Sequence, residues 1–472
     1  LARLERGGMT TSCPRLVIAG TGSGIGKTSL ALGLVRSLTR EGLRVQTFKV
    51  GPDFLDPTYL ARASGRTCYN LDAWMSSPDY VRQLFTRASA GADLAVIEGV
   101  MGLFDGASPT ALEGSTAEIA RLLAAPVVLV VGVHGVARSL AATVKGFAEF
   151  EPGVCVAGVI ANQAGSPRHK AWLADALAGA ALPPLLGAVP RGALPPLQSR
   201  HLGLVTADHG GLNEQTLDLL ADACVQHLDL KTLLKLAREA MPLHSSALAE
   251  PVVPAPMAQV RLGIARDDAF HFYYPDNLEA FQRGGATLVP FSPLTDAALP
   301  EELDGLYLGG GYPELHAARL SANTAMLAAL GRFAAAGRAI YAECGGLMYL
   351  GNSLQTLDGA RFPLAGVLPI DTLMCKSLKT LGYAEVALAS DSLWGSTGQT
   401  CRGHEFHYST IVADGRGCDG WQPAYSMRRR RDDAATTEGF CKGRLLASYV
   451  HLHWASRPQA VAHFLARCGE VS

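Results

Sequence analysis

Arg15-Leu-Val-Ile-Ala-Gly20-Thr-Gly-Ser-Gly-Ile-Gly26-Lys27-Thr28 joins an apolar, β-branched run to a glycine-rich turn, and a helical pattern then continues to Arg40. Strand, flexible turn and helix start is the setting in which a backbone can wrap a phosphate. Glycines let amide N–H groups converge on phosphate oxygens, the helix N-terminus adds partial positive charge, and Lys27 supplies a full one. Thr28 can place a hydroxyl on Mg²⁺. The first glycine stands six residues before Gly26, with Thr21 where the common pattern has glycine. Gly22, Gly24, Gly26, Lys27 and Thr28 are the expected contacts to a bound phosphate.

Outward from this segment, strand-like runs recur at Val45–Val50, Leu94–Ile97, Pro126–Val131, Cys155–Ile160 and Leu185–Val189, with helix-length stretches such as Thr28–Arg40 and Glu113–Ala124 between them. Alternation of this kind predicts a mainly parallel sheet covered on both faces. Acidic residues cluster where those strands end. Asp93-Leu-Ala-Val-Ile-Glu98-Gly99 closes on a carboxylate and continues as Val-Met-Gly-Leu-Phe-Asp105-Gly106; Lys49-Val-Gly-Pro-Asp53-Phe-Leu-Asp56-Pro57 follows another strand. An Asp before proline also serves as a turn former. A sheet delivers ligands at its carboxyl edge, and carboxylates suit a hard cation. Asp53, Asp56, Glu98 and Asp105 are therefore expected to hold Mg²⁺ or substrate.

A helical stretch, Glu214 to Ala240, precedes Pro242–Met257, which is rich in Pro, Ala and Ser and reads as a linker. Strand signals restart at Arg261–Ala265, Thr287–Pro290, Gly305–Leu308 and Ala339–Ala342. The expected division is a domain over 9–240, a linker over 241–258 and a second α/β domain over 259–472. In the second, Ala339-Ile-Tyr-Ala-Glu-Cys344-Gly-Gly reads as strand, sharp turn and helix. Such an elbow exposes a side chain beside a helix N-terminus, which predicts a lowered thiol pKa. Leu308-Gly309-Gly310-Gly311-Tyr312-Pro313-Glu314 offers backbone N–H groups to a developing oxyanion, and Tyr449-Val450-His451-Leu452-His453-Trp454 offers a base. Nucleophile, donor loop and distant histidine are the layout of a cysteine acyl transferase. His453 is expected to pack. Gly403-His404-Glu405-Phe406-His407 lacks a third clustered metal ligand and is expected as a loop near this centre.

The chain has 472 residues, 48% of them hydrophobic and 18% charged, which excludes a disordered protein. Lys plus Arg is 41 against 42 Asp plus Glu, so there is no bulk attraction for nucleic acid or anionic lipid. The longest apolar run, Leu122–Val133, is 12 residues and contains Pro126. It falls short of the ~18 that a membrane span needs. Ten scattered cysteines without a CxxC pair predict a reducing compartment, the cytoplasm. Leu1–Gly8 lacks the apolar core of a signal peptide, and Met9 is the expected start. Arg428–Arg431, followed by Asp432 and Asp433, is expected as a solvated loop.

The second half resembles a class I glutamine amidotransferase domain of the cobyric-acid-synthase type, with Cys344 and His451 at its motif positions. The first half resembles the dethiobiotin-synthetase-like ATPase domain, which shares the longer glycine spacing. KVGPDFLDP, NLDAWM, IEGVMGLFDG, SRHLGL, GGGYPE, AECGGLMYL and GHEFHYS, in order from about residue 14 to the end, are together similar to the cobyrinate or hydrogenobyrinate a,c-diamide synthase family. The resemblance implies an α/β chain with an N-terminal P-loop NTPase-like domain and a C-terminal glutaminase domain. It implies a ligase of cobalamin biosynthesis that turns the a and c acetates of a corrinoid, cobyrinate or hydrogenobyrinate, into acyl phosphates with ATP and Mg²⁺. Ammonia from glutamine then forms the amides. On that scheme Cys344 attacks glutamine, His451 moves protons, Gly310, Gly311 and Gly345 line the oxyanion and glutamine loop, and Asn162 reads adenine. Glutamine, ATP and the corrinoid are the expected partners, with a homodimer and without nucleic acid or membrane. Many class I glutaminases have His-x-Glu; here the third position is His453, so the group orienting His451 is unassigned.

Two other readings compete. A related amidoligase would act on another tetrapyrrole carboxylate, in cobyric acid formation or nickel-tetrapyrrole diamidation; KVGPDFLDP and GHEFHYS disfavour the former. A partner-regulated switch ATPase with a deviant P-loop carries a lysine five residues before the last glycine, where this chain has Thr21, and lacks the glutaminase half.

Overall fold

Residues 9–11, 13–197, 199–200, 203–204, 212–245, 259–430 and 434–470 are described by the computed structural model, and the chain divides into two units, 1–248 and 249–472. In the first, seven parallel strands form one sheet: β1 (Arg15–Gly20), β2 (Val45–Val50), β3 (Tyr69–Leu71), β4 (Leu94–Glu98), β5 (Val127–Gly132), β6 (Val156–Ala164) and β7 (Leu185–Pro190). Their order is β3-β2-β4-β1-β5-β6-β7. Alternate side chains of β1 enter opposite cores. Val17 and Ala19 pack with Phe48, Ile97 and Leu140, whereas Leu16 and Ile18 pack with Leu30, Leu34 and Leu220. Burial on both faces is why these strands read as continuous apolar runs.

Helix α1 (Lys27–Arg40) lies against a helix over Glu214–His227. The approach is so close that a Cβ on Gly33 would stand 2.5 Å from Leu220 O. The predicted helical stretch from Glu214 to Ala240 is two helices, Glu214–His227 and Leu230–Arg238. Asp229 breaks it by capping the second, accepting from Thr232 N at 3.0 Å. The predicted linker also begins late. Leu243–Ser245 pairs antiparallel with Met9–Thr11, so the start of that segment belongs to the first unit. Residues 246–258, the first eight residues, His201 and Leu202 of SRHLGL, and Arg431–Asp433 lie outside the described residues.

The second unit holds a six-stranded sheet of β8 (Val260–Ala265), β9 (Ala286–Phe291), β10 (Gly305–Leu308), β11 (Ala339–Glu343), β12 (Phe440–Lys442) and β13 (Leu445–Ser448). The order is β9-β8-β10-β11-β13-β12, parallel except for β12. Ile340 and Ala342 face one core; Ala339 and Tyr341 face the other. A second, antiparallel sheet contains Thr380–Leu388, Thr400–His407, Tyr425–Arg429, Thr436–Glu438 and His451–Leu452. Two expectations are corrected here. His404–His407 is strand rather than loop, paired so that His404 opposes His451. Arg428 and Arg429 also sit in a strand, where Arg429 Nε donates to Glu405 Oε2 at 2.7 Å. A run of like charge does not reveal that alternate members face opposite sides of a strand. Among the described residues, no helix is long and apolar enough to cross a membrane.

Candidate active sites

At the carboxyl edge of the first sheet, β2, β4 and β1 lie side by side, with Lys49 opposite Glu98 and Ile18 opposite Glu98. That register gathers the turn after β1 with the acidic strand ends. Lys27 Nζ donates to Gly22 O at 2.7 Å, folding the lysine over its own loop. Gly26 has φ 92°, and a Cβ there would stand 2.4 Å from Asn162 Nδ2, so conformation and space both require glycine. Asn162 Nδ2 donates to Ile25 O at 2.8 Å. The carboxamide expected at adenine thus braces the phosphate loop. The loop carrying Asp105 is tied to the same turn by Leu103 N donating to Gly20 O at 2.8 Å, while Asp105 Oδ2 accepts from Gly102 N at 2.8 Å.

Lys49 is the residue that spacing alone does not single out. Its Nζ lies 2.6 Å from Asp56 Oδ2, 3.0 Å from Glu98 Oε1 and 3.2 Å from Gly99 O. Burial works against its charge, but Asp56 and Glu98 outweigh it and hold its pKa above the ordinary lysine value. Burial also works against Asp56, and Lys49 outweighs it in turn, keeping that carboxyl below its usual range. Asp53, which accepts from Leu55 N at 2.7 Å in the turn before helix α2 (Asp56–Ser64), is pushed up to about 7 by burial and by Asp56. Burial and then Lys49 lower the Lys27 pKa.

Thr28 Oγ1 donates to Glu98 Oε1 at 2.6 Å, and the buried Oε2 of Glu98 has no hydrogen-bond partner. A buried carboxylate oxygen beside a hydroxyl suits a cation that also takes phosphate oxygens and water. Among the described residues, no three His, Cys, Asp or Glu side chains form a cation-holding group by themselves. The donor set matches a magnesium ion carried by a nucleotide.

In the second unit, neighbouring strands β10, β11 and β13 end in the triple-glycine loop, in Cys344 and in the turn toward His451. Cys344 has φ 47° and ψ −100°. A non-glycine residue in that region costs about 1–3 kcal/mol. The strain is held by Cys344 N donating to Ser448 O at 2.7 Å. Small residues follow because the space demands them: a Cβ on Gly346 would stand 2.2 Å from Leu308 O, and one on Gly345 would stand 3.1 Å from Gly311 N. A Cβ on Gly310 would meet His451 Cε1 at 2.4 Å. The triple-glycine loop therefore lies against both the elbow and the imidazole. Gly309 N donates to Tyr273 Oη at 2.9 Å, Gly310 bridges Phe272, whose N donates to Gly310 O at 3.0 Å, and Tyr312 N donates to Ala269 O at 3.0 Å, so the backbone of this loop is fixed on both sides of Gly311.

The predicted acidification of the thiol is corrected. Burial, then the Glu314 carboxylate, push the Cys344 pKa up, and the Gly345 N–H offsets this only in part. The helix behind the elbow spans only Gly345–Leu350, too short to reverse the desolvation. His451 is 1% exposed, with its ring stacked on His404 and Nδ1 3.7 Å from Glu343 Oε2. Glu343 is a second residue missed by motif spacing. It accepts from Tyr307 Oη at 2.8 Å, Tyr341 Oη at 2.7 Å and Leu452 N at 3.0 Å. His453 packs against Tyr274, with Nε2 3.2 Å from Asp276 Oδ2.

Comparison with known proteins assigns a family to each half of the chain. A CobQ/CobB/MinD/ParA nucleotide binding domain model matches residues 16–203, and a CobB/CobQ-like glutamine amidotransferase domain model matches residues 261–459. The cobyrinate a,c-diamide synthase of Syntrophotalea carbinolica is 56% identical over 97% of this chain and 99% of its own. That of Leptospira interrogans serovar copenhageni is 41% identical over 98% and 99%. That of Salmonella typhimurium is 42% identical over 96% and 98%. Both domain models match in this order, and these relatives align along nearly their whole lengths; the chain belongs to the cobyrinate a,c-diamide synthase family.

Proposed function

We propose that this chain converts the a and c acetate carboxylates of cobyrinate or hydrogenobyrinate into amides, using ATP for activation and glutamine as the nitrogen source. The observation that carries this reading is the pairing, on one chain, of a phosphate loop bordered by Lys49, Asp56 and Glu98 with a strained cysteine elbow beside a buried histidine. Each centre supplies what the other lacks: one can activate a carboxylate, the other can release ammonia.

At the glutaminase centre, burial disfavours a standing thiolate, so the thiol proton leaves as the nucleophile attacks. Cys344 Sγ bonds to the carboxamide carbon while His451 takes the proton. The resulting oxyanion is met by N–H groups of Gly310, Gly311 and Gly345. Collapse gives a glutamyl thioester, and the departing nitrogen receives the proton as ammonia; water then frees glutamate.

At the other centre, Gly22, Gly24 and Gly26 present amides to the phosphates of ATP, and Lys27 swings from Gly22 O to the transferring phosphoryl group. Magnesium neutralises phosphate charge when bound, and Thr28 Oγ1 with Glu98 Oε2 would hold it. Asp53 and Asp105 place the ring carboxylate, whose oxygen attacks the γ-phosphorus to give an acyl phosphate. Ammonia displaces phosphate from that acyl carbon, a better electrophile than the parent carboxylate. We place the chain in the cytoplasm on the scattered spacing of its ten cysteines.

Mass spectrometry of products from cobyrinate and from its metal-free analogue, each with ATP and glutamine, tests the proposal. Diamide from one or both is expected. ATP hydrolysis indifferent to either tetrapyrrole would refute it.

A further inference from the structure

We infer that Glu343, the residue immediately before the nucleophile, is the positioning residue that orients His451 and fixes its tautomer for thiol deprotonation. The inference rests on the glutaminase reading above and deepens it. The carboxylate is 2% exposed and held from three directions, by two tyrosine hydroxyls on adjacent strands and by the amide of Leu452. Leu452 follows His451 directly, so one carboxylate grips the backbone next to the imidazole and also faces its ring. Oε2, which accepts from Tyr307, is the oxygen that lies 3.7 Å from His451 Nδ1. That separation is a charge contact rather than a hydrogen bond. Such contacts in substrate-free sites commonly shorten as the reacting complex forms.

Position 453, where related glutaminases keep the acid, cannot do this work: His453 faces Asp276 at 3.2 Å. His404 lies nearly parallel to the His451 ring, at 20° between planes, and its Nδ1 is 3.0 Å from Tyr274 Oη. A stacked imidazole meets the ring face and cannot accept an in-plane N–H. An anionic Glu343 favours the proton on Nδ1, which leaves Nε2 as the base. The Cε1 edge of the ring faces the loop, 2.4 Å from where a Cβ on Gly310 would be, with Nε2 at 3.2 Å and Nδ1 at 3.4 Å from the same point. When His451 becomes charged, the same carboxylate stabilises it in a buried setting.

The test uses full-length protein carrying Glu343→Gln, which keeps volume and one acceptor but removes charge. A glutamine amide N–H facing Nδ1 selects the wrong tautomer. Glutamine-dependent kcat should fall by at least about a hundred-fold, within the span that general acid–base groups contribute. KM for glutamine should stay close to the parent value, and amidation with ammonium should persist. Because Glu343 acts through His451, Glu343→Gln should cost nothing further on a His451→Ala background. An equal loss on both backgrounds, or unchanged glutaminase in Glu343→Gln, would overturn the inference. Full glutaminase in His451→Ala would instead overturn the assignment of the base. Should Glu343→Gln lower the thermal midpoint, Tyr341→Phe removes one donor from the carboxylate while keeping its charge. Several-fold loss of glutaminase with ammonium-dependent activity intact supports the role, and unchanged glutaminase counts against it.

Discussion

Replacing Lys49 with methionine removes a buried ammonium and little volume. The structure places Nζ 2.6 Å from Asp56 Oδ2 and 3.0 Å from Glu98 Oε1, in a residue 3% exposed. Removing one partner of a buried ionic group leaves uncompensated charge, at a cost of about 3–5 kcal/mol. Lys27 feels the same carboxylates and is at present repelled by Lys49, so it can take over part of the neutralisation. The lower bound, about 3 kcal/mol, is therefore expected. In a unit of this size about 1 kcal/mol moves the melting temperature by about 2–4 °C, so the drop should be about 6–12 °C. Its pH dependence has a definite sign. A lysine whose pKa is raised on folding stabilises fully below its ordinary value, and loses this only at strongly alkaline pH. Asp56, whose pKa is depressed, contributes above the ordinary carboxylate range and loses its contribution as pH falls. The difference between parent and variant should thus be full at neutral pH and shrink as the pH drops through the carboxylate range. Thermal melts of the full chain at about pH 7.5 and about pH 3 measure it. A neutral-pH melt within about 1 °C of the parent would refute the view that Lys49 neutralises a buried acidic pair.

Gly310→Ala sets a methyl group 2.4 Å from His451 Cε1, and the ring must move. Glutaminase should fall by about a hundred-fold, as for a catalytic group misplaced by about 1 Å, with ammonium-dependent amidation unchanged. Asp53, raised to about 7, favours the folded state while protonated and stops doing so as pH rises toward that value. Asp53→Asn should therefore flatten the decline in melting temperature between about pH 5 and about pH 7, and should depress amidation without changing KM for glutamine. Lys27→Ala should abolish amidation with either nitrogen donor while glutaminase persists; near-normal turnover with ammonium would reduce the loop to a structural turn.

Much of the fold is legible because both faces of the central strands are buried. Val45–Val50 and Gly305–Leu308 are predicted to the residue, and β11 to within one. What escapes depends on register or on distant partners. The break at Asp229 is a capping event inside an otherwise helical pattern, and the pairing of Leu243–Ser245 with Met9–Thr11 joins segments from opposite ends of the first unit. At the sites, Cys344 and the glycine loops stand at tight turns that few residue types can form, which the sequence signals. Lys49 and Glu343 do not, because each sits inside a strand where a charged side chain gives no spacing signal. Their meaning comes from neighbours: Glu98 across a strand pair, and Tyr307 and Tyr341 on adjoining strands. The expected acidity of Cys344 fails for a related reason. An elbow is visible in sequence, whereas the burial and the Glu314 charge that oppose it are not.

Diamide yield from Cys344→Ala with ammonium in place of glutamine tests the central claim most directly, that one centre releases the ammonia which the other consumes. Loss of the covalent nucleophile should cut the glutamine-dependent reaction by roughly three orders of magnitude or more. Ammonium should restore ATP-dependent diamide formation, increasingly so toward alkaline pH as the unprotonated fraction rises. A correctly folded Cys344→Ala that makes no diamide from either donor would contradict the account and place Cys344 in the chemistry of the corrinoid itself.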